Sequence, residues 1–117
     1  MSEHQHLAAV LRYYDETRWD YKHLWQSDKT LAIHFGYYDE NARTHREAVE
    51  RMNGALAAAA AISSSDVVLD AGCGMGGSTI WLAANIGCNT LGINIIPYQL
   101  ELATAAAQQR NVAGLVR

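Results

Sequence analysis

The stretch Val67-Val68-Leu69-Asp70-Ala71-Gly72-Cys73-Gly74-Met75-Gly76-Gly77-Ser78-Thr79 constrains this chain more than any other feature. It reads as a short buried strand, Asp66 to Asp70, that ends in a carboxylate and runs into a glycine turn. A helix carrying Ile80, Trp81, Leu82, Ala83 and Ala84 follows. Glycine is needed where the backbone takes a positive φ or must lie against a ligand with no Cβ between. A strand, a glycine turn and a helix in succession aim the free N–H groups of the helix start at whatever sits above the strand's end. The unit is therefore read as half of a nucleotide-type cofactor site.

Gly72, Gly74 and Gly77 satisfy the dinucleotide spacing G-x-G-x-x-G, a weak signal by itself. Two features argue against a nicotinamide dinucleotide. Asp70 stands just before the first glycine, where it would meet a pyrophosphate with like charge. A dinucleotide site also wants an acid about 20 residues on, for the ribose hydroxyls. That region reads Leu91-Gly92-Ile93-Asn94-Ile95-Ile96-Pro97, with none. A carboxylate beside the turn suits a ligand with positive charge, an ammonium or a sulfonium. Such a ligand is met only if the Asp70 carboxylate faces the crevice.

With these residues in hand, the sequence resembles class I S-adenosylmethionine-dependent methyltransferases. Val67 to Gly77 is similar to their first motif, an acidic residue followed by alternating glycines, and Thr90 to Leu100 is similar to the segment that follows it. Most of the family has Asp or Glu where this chain has Asn94. The branch with cyclopropane-fatty-acid synthases, tocopherol-type and natural-product methyltransferases tolerates Thr or Asn there and carries a Gln matched by Gln99. The resemblance implies an α/β fold with a Rossmann-like parallel sheet, here partial at about three strands, under an N-terminal helical cap. It also implies a seven-stranded sheet in a longer chain, so this sequence is read as the N-terminal, cofactor-binding half or a truncated product. The domain reading is a helical and aromatic cap over residues 1–43 and an incomplete cofactor-binding region over 44–117.

At 117 residues the chain is long enough for one core and no more. Its net charge of -3, without clustered Lys and Arg, excludes a nucleic-acid footprint. Cys73 and Cys88 lack metal spacing and read as reduced thiols of a cytoplasmic protein. No signal peptide is visible, and no apolar run approaches the ~20 residues of a membrane span. His4 and His6 read as solvated histidines, so no metal site is expected.

Along the chain, Met1 to Gln5 reads as a frayed end, and Leu7, Val10, Leu11 and Tyr14 have helical spacing. Trp19, Tyr21, Leu24 and Trp25 mark a second short helix, with a turn near Gln26 to Lys29. Ile33 to Asp39 reads as a loop in which Gly36 permits a sharp bend. The aromatic density from Tyr13 to Tyr38 fits either a packing cap or a ligand lid. Thr44 and Glu47 form a capping box that starts a helix through Ala61, with Ala48, Val49, Met52, Leu56, Ala59 and Ala60 on its apolar face. Cys88 to Ile95 is the second strand. Pro97 opens a helix running to about Arg110, and Leu115 to Arg117 is a third strand. This alternation implies parallel strands with right-handed crossovers.

Carried over by resemblance, Gly72 and Gly74 let the backbone approach the methionine and ribose portions of S-adenosylmethionine. Asp70 favours its ammonium, and Asn94 and Gln99 bond the ribose hydroxyls. Ile95 and Ile96 flank the adenine, and Tyr14 and His34 line the methionine end. The activity implied is methyl transfer by direct displacement to a small-molecule or lipid acceptor, with no catalytic residue assignable. Two readings stand beside it: a dinucleotide-binding oxidoreductase domain, and a non-catalytic fragment that assembles with another chain. An unfinished sheet leaves an unpaired edge, which invites a homo-oligomer.

Overall fold

The computed structural model describes residues 1–24 and 27–117. In chain order the elements are α1 (Glu3–Glu16), α2 (Arg18–His23), α3 (Ser27–Thr30), α4 (His45–Ala59), β1 (Val67–Ala71), α5 (Gly77–Asn85), β2 (Asn89–Ile93) and α6 (Pro97–Gln109). The expected continuation of the second helix to Trp25, and the turn at Gln26, fall outside the described residues. The rest of that turn is the short helix α3.

The N-terminus departs from the frayed end expected of it. Ser2 and Gln5 make a reciprocal capping box, so α1 begins at Glu3. The second capping box stands as read: Thr44 Oγ1 accepts from the Glu47 N–H at 3.2 Å, and Glu47 accepts from the Thr44 N–H at 3.0 Å. On α4 the buried stripe is Ala48, Val49, Asn53 and Ala57, while Leu56 is 61% exposed. The apolar-face reading therefore fails at Leu56, Ala59 and Ala60. A run of alanines gives a helix no anchor to fix its rotation, and here a polar contact does so. Buried Asn53 accepts from the Ser78 hydroxyl of α5 at 2.7 Å.

Gly36 does not serve as a bend. A Cβ there would stand 2.4 Å from the Ala48 Cβ, so its role is to let the loop touch α4, where the Tyr37 N–H donates to the Ala48 carbonyl at 2.8 Å.

β1 and β2 are parallel, in register from Val67 opposite Asn89 to Ala71 opposite Ile93. The third strand is reduced to a bridge, Thr90 with Val116, on the far side of β2. Three bonds secure it: Thr90 N–H to Leu115 O at 2.8 Å, Arg117 N–H to Thr90 O at 3.0 Å, and Gly92 N–H to Arg117 O at 2.8 Å. Right-handed crossovers place α5 and α6 on one face of this sheet. Ile80, which is fully buried, packs with Ala83, Ala106, Ala107 and Val112, and a second cluster joins Ala57 of α4 to Leu82 and Cys88. Each large side chain buried this way contributes about 1.5–3 kcal/mol. The opposite face is bare: Val67 is 78% exposed and Leu69 60%, with Leu91 and Ile93 beside them. No helix among the described residues is long and apolar enough to cross a membrane.

Candidate functional site

The glycines of the turn divide into two kinds. Gly72 (φ 81°) and Gly74 (φ 56°) lie in the left-handed region, and a Cβ on either would meet no atom of the described residues beyond its chain neighbours within 4 Å. Their missing side chains leave open space. Gly76 and Gly77 are different. A Cβ on Gly76 would stand 2.9 Å from the Ala103 Cβ, and one on Gly77 2.6 Å from the Leu31 carbonyl oxygen. Those two glycines let α5 sit against α6 and against the segment after α3. The turn is held by the Ile93 carbonyl at the end of β2, which accepts from the N–H groups of Gly72 at 2.8 Å and Cys73 at 3.0 Å.

The open space over Gly72 and Gly74 is part of a crevice of about 440 Å³ at the carboxyl ends of the two strands, the usual ligand position in open α/β sheets. Tyr14 and Val10 of α1 and Ile33 close it from the cap side, and Ile93, Asn94, Ile95, Ile96 and Gln99 line it from β2 and α6. The structure thus brings Tyr14, Gly72, Gly74, Asn94, Ile95 and Gln99 together. Val10, Ile33 and Ile93 were missed by the sequence reading, because an apolar residue at helix or strand spacing looks the same in a core as in a ligand wall.

His34 and Asp70 do not line the crevice. His34 Nδ1 lies 2.8 Å from the Phe35 carbonyl oxygen, which can only accept, so the ring proton sits on Nδ1. Its Nε2 is buried without a hydrogen-bond partner among the described residues. Asp70, half-buried, lies on the sheet face that α5 covers. There its Oδ2 accepts from the Thr79 hydroxyl at 2.6 Å, Thr79 itself being 2% exposed. Alternation along β1 explains this, since Asp70 shares the covered face with Val68 while Leu69 and Ala71 point the other way. The Asp70 carboxylate thus faces Thr79 and not the crevice, and the glycine turn defines the site.

Asn94 and Gln99 are bonded to one another. The Asn94 amide donates to Gln99 Oε1 at 2.7 Å and to the Gly74 carbonyl at 3.4 Å, while its Oδ1 accepts from the Ile95 N–H at 2.9 Å. Gln99, 3% exposed, in turn donates to the Tyr98 hydroxyl at 3.4 Å, which donates to the Tyr14 carbonyl at 3.2 Å. This chain of bonds ties the glycine turn to the cap, and two of its members, Asn94 and Gln99, also wall the crevice. Burial, and then the Asp70 carboxylate, push the Cys73 thiol up, so the turn offers no thiolate nucleophile. Among the described residues no group of His, Cys, Asp and Glu side chains is placed to hold a metal.

Residues 69–117 match the family described as methyltransferase domain. The chain is 32% identical over 105 residues to the sterol 24-C-methyltransferase of Saccharomyces cerevisiae, covering 90% of this chain and 26% of that protein. It is 28% identical over 117 residues to the chloroplastic tocopherol O-methyltransferase of Arabidopsis thaliana, covering 90% of this chain and 32% of that one. The structure of coclaurine N-methyltransferase bound to N-methylheliamine and SAH superposes with a TM-score of 0.71 at 27% identity, over 76% of this chain and 26% of that one. The chain spans roughly a quarter to a third of the length of these curated relatives. Two motifs at the right separation, one fold and one set of relatives agree: residues 69–117 match the methyltransferase domain, and the chain is similar to class I S-adenosylmethionine-dependent methyltransferases.

Proposed function

We propose that the crevice over Gly72 and Gly74 binds S-adenosylmethionine, and that the protein transfers its methyl group to a small-molecule or lipid acceptor. The observation that carries this reading is the pair of positive-φ glycines with vacant space where their side chains would stand, at the strand ends and under a cap. The crevice volume, about 440 Å³, falls in the range of small-molecule sites, ~300–1,000 Å³. The relatives' names, sterol and tocopherol methyltransferases, support a lipid-like acceptor.

When bound, S-adenosylmethionine supplies an electrophilic methyl group, and displacement at such a centre needs chiefly alignment and exclusion of water. Gly72 and Gly74 let the backbone lie close to the ligand. Tyr14, with Val10 and Ile33, closes the crevice from the cap side, in keeping with residues 1–43 acting as a cap on residues 44–117. Ile95 and Ile96 offer apolar contact for the adenine. Asn94 and Gln99 meet the ribose hydroxyls by exchanging part of their mutual bonding for bonds to the ligand. Asp70 acts from beneath, fixing Thr79 and with it the first turn of α5. His34 stands within the cap, its ring held by the Phe35 carbonyl.

The bare sheet face and the unpaired edge of β1 support assembly with a second copy, and light scattering on the eluted chain tests it: a strict monomer refutes it. The free thiols suit a cytoplasmic setting. Calorimetry with S-adenosylhomocysteine and NAD in parallel tests the main proposal. Binding of the former alone supports it, and preference for NAD overturns it.

A further inference from the structure

A second cavity, of about 300 Å³, opens on the other side of Gln99 and Ile33, between α2 and α6. Its walls are largely apolar, with Leu31, Met75, Leu102 and Ala106 among them. Its mouth is not. Arg18 and Lys22 of α2, one helical turn apart, both line it, and among the described side chains no carboxylate does. Neither cation forms an ion pair with a described residue, whereas Arg46 and Arg51 are paired with Glu50 and Asp39. The Arg18 guanidinium lies over the Tyr98 ring at 4.3 Å, and among the described residues its N–H groups donate to no oxygen. On a chain of net charge -3, two cations with no ion pair among the described residues, at the rim of an apolar hollow, are out of keeping with a solvated face.

We propose that this cavity is a binding site for a small amphipathic anion, an apolar body carrying one carboxylate or phosphate group. The body fills the space between α2 and α6, and the head group takes charge-assisted hydrogen bonds from Arg18 and Lys22. The site is separate from the cofactor crevice, with which it shares only the partition of Ile33 and Gln99. It stands whether or not the crevice binds S-adenosylmethionine.

The test is titration calorimetry on the full chain with octanoate, octyl phosphate and octan-1-ol, with S-adenosylhomocysteine measured alongside. One or both anions are expected to bind more tightly than the alcohol by about ten-fold or more at low ionic strength, and to weaken as salt is added. The Arg18→Gln/Lys22→Gln double variant should remove that advantage, changing alcohol binding by less than about two-fold. Ala105→Trp, which fills the cavity from α6, should abolish binding of all three probes while S-adenosylhomocysteine behaves as in the parent chain. Equal binding of alcohol and anions, anion affinity unchanged in the double variant, or no binding of any probe would each overturn the proposal. So would binding to anionic phosphatidylglycerol vesicles with none to the soluble anions, which would make the face a membrane contact. Loss of S-adenosylhomocysteine binding with octanoate binding intact would count against the cofactor reading alone.

Discussion

Gly74→Ala separates the two jobs a glycine can do in this turn. Its φ of 56° is left-handed, where an alanine costs about 1–2 kcal/mol. No atom of the described residues beyond its chain neighbours lies within 4 Å of the new Cβ, so no steric penalty is added. For a chain of 117 residues a loss of that size lowers the melting temperature by roughly 3–6 °C per kcal/mol. The methyl group then stands in the crevice, on the surface where the ligand is proposed to lie. Affinity for S-adenosylhomocysteine should fall at least about ten-fold, or ~1.4 kcal/mol. Gly77→Ala makes the contrast, because its Cβ would sit 2.6 Å from the Leu31 carbonyl and 3.2 Å from that of Thr30. Backbone atoms cannot swing aside, so the segment after α3 must shift, at about 1–3 kcal/mol. Gly114→Ala, with an ordinary φ and open surroundings, should change neither quantity. Thermal melts by circular dichroism and calorimetry read the two effects separately. The reasoning is refuted if Gly74→Ala binds S-adenosylhomocysteine as the parent does, or if it destabilises by well over 3 kcal/mol.

Three further outcomes follow from the same contacts. Asn94→Asp removes the donor shared by Gln99 and the Gly74 carbonyl and should cost about 1–2 kcal/mol at neutral pH in urea unfolding; an unchanged midpoint would show that the link is slack. Thr79→Val keeps the shape of a buried side chain but leaves the half-buried Asp70 carboxylate without its partner, a loss of about 1.5–3 kcal/mol by the same measurement. Asp39 is held below the ordinary carboxylate range by its hydrogen bond from Arg51, Glu47 by the N–H groups of Arg43 and Thr44, and Asp66 by the Ser63 N–H. Because their folded values are depressed, their contribution is complete above about pH 5 and is lost as pH falls through the ordinary and then the lower folded values. Melting temperature should therefore be level from pH 5 to 8 on their account and fall on acidification, less steeply in Asp39→Asn.

Local signals in the sequence located most of the elements. The turn at Gly72 to Gly77, the Thr44 capping box and Pro97 at a helix start each act through a neighbour within a few residues, so spacing alone reveals them. The errors came where tertiary contact decides. Gly36 looked like a bend and is a point of close approach to Ala48. Leu56 had the hydrophobicity for the core, yet α4 is turned by the buried bond between Asn53 and Ser78. Asp70 looked like a ligand contact because it precedes the glycines in sequence, but strand alternation sends its side chain toward α5. Thr79, nine positions on, is the partner, and nothing in the spacing identifies it. The crevice itself was legible through its glycines and through Asn94 and Gln99. Its apolar wall, Val10, Ile33 and Ile93, was not, since it exists only once α1 lies across the strand ends.

The most direct measurement is a titration of the isotopically labelled chain with S-adenosylhomocysteine, followed residue by residue in its amide NMR spectrum. The account predicts that the amides of Gly72, Gly74, Ile95 and Tyr14 move together on one binding curve, while those of Gly114 and the bare-face residue Val67 stay fixed. Unmoved signals at Gly72 and Gly74 at saturating ligand, or movement of the same amides by NAD in preference, would contradict it.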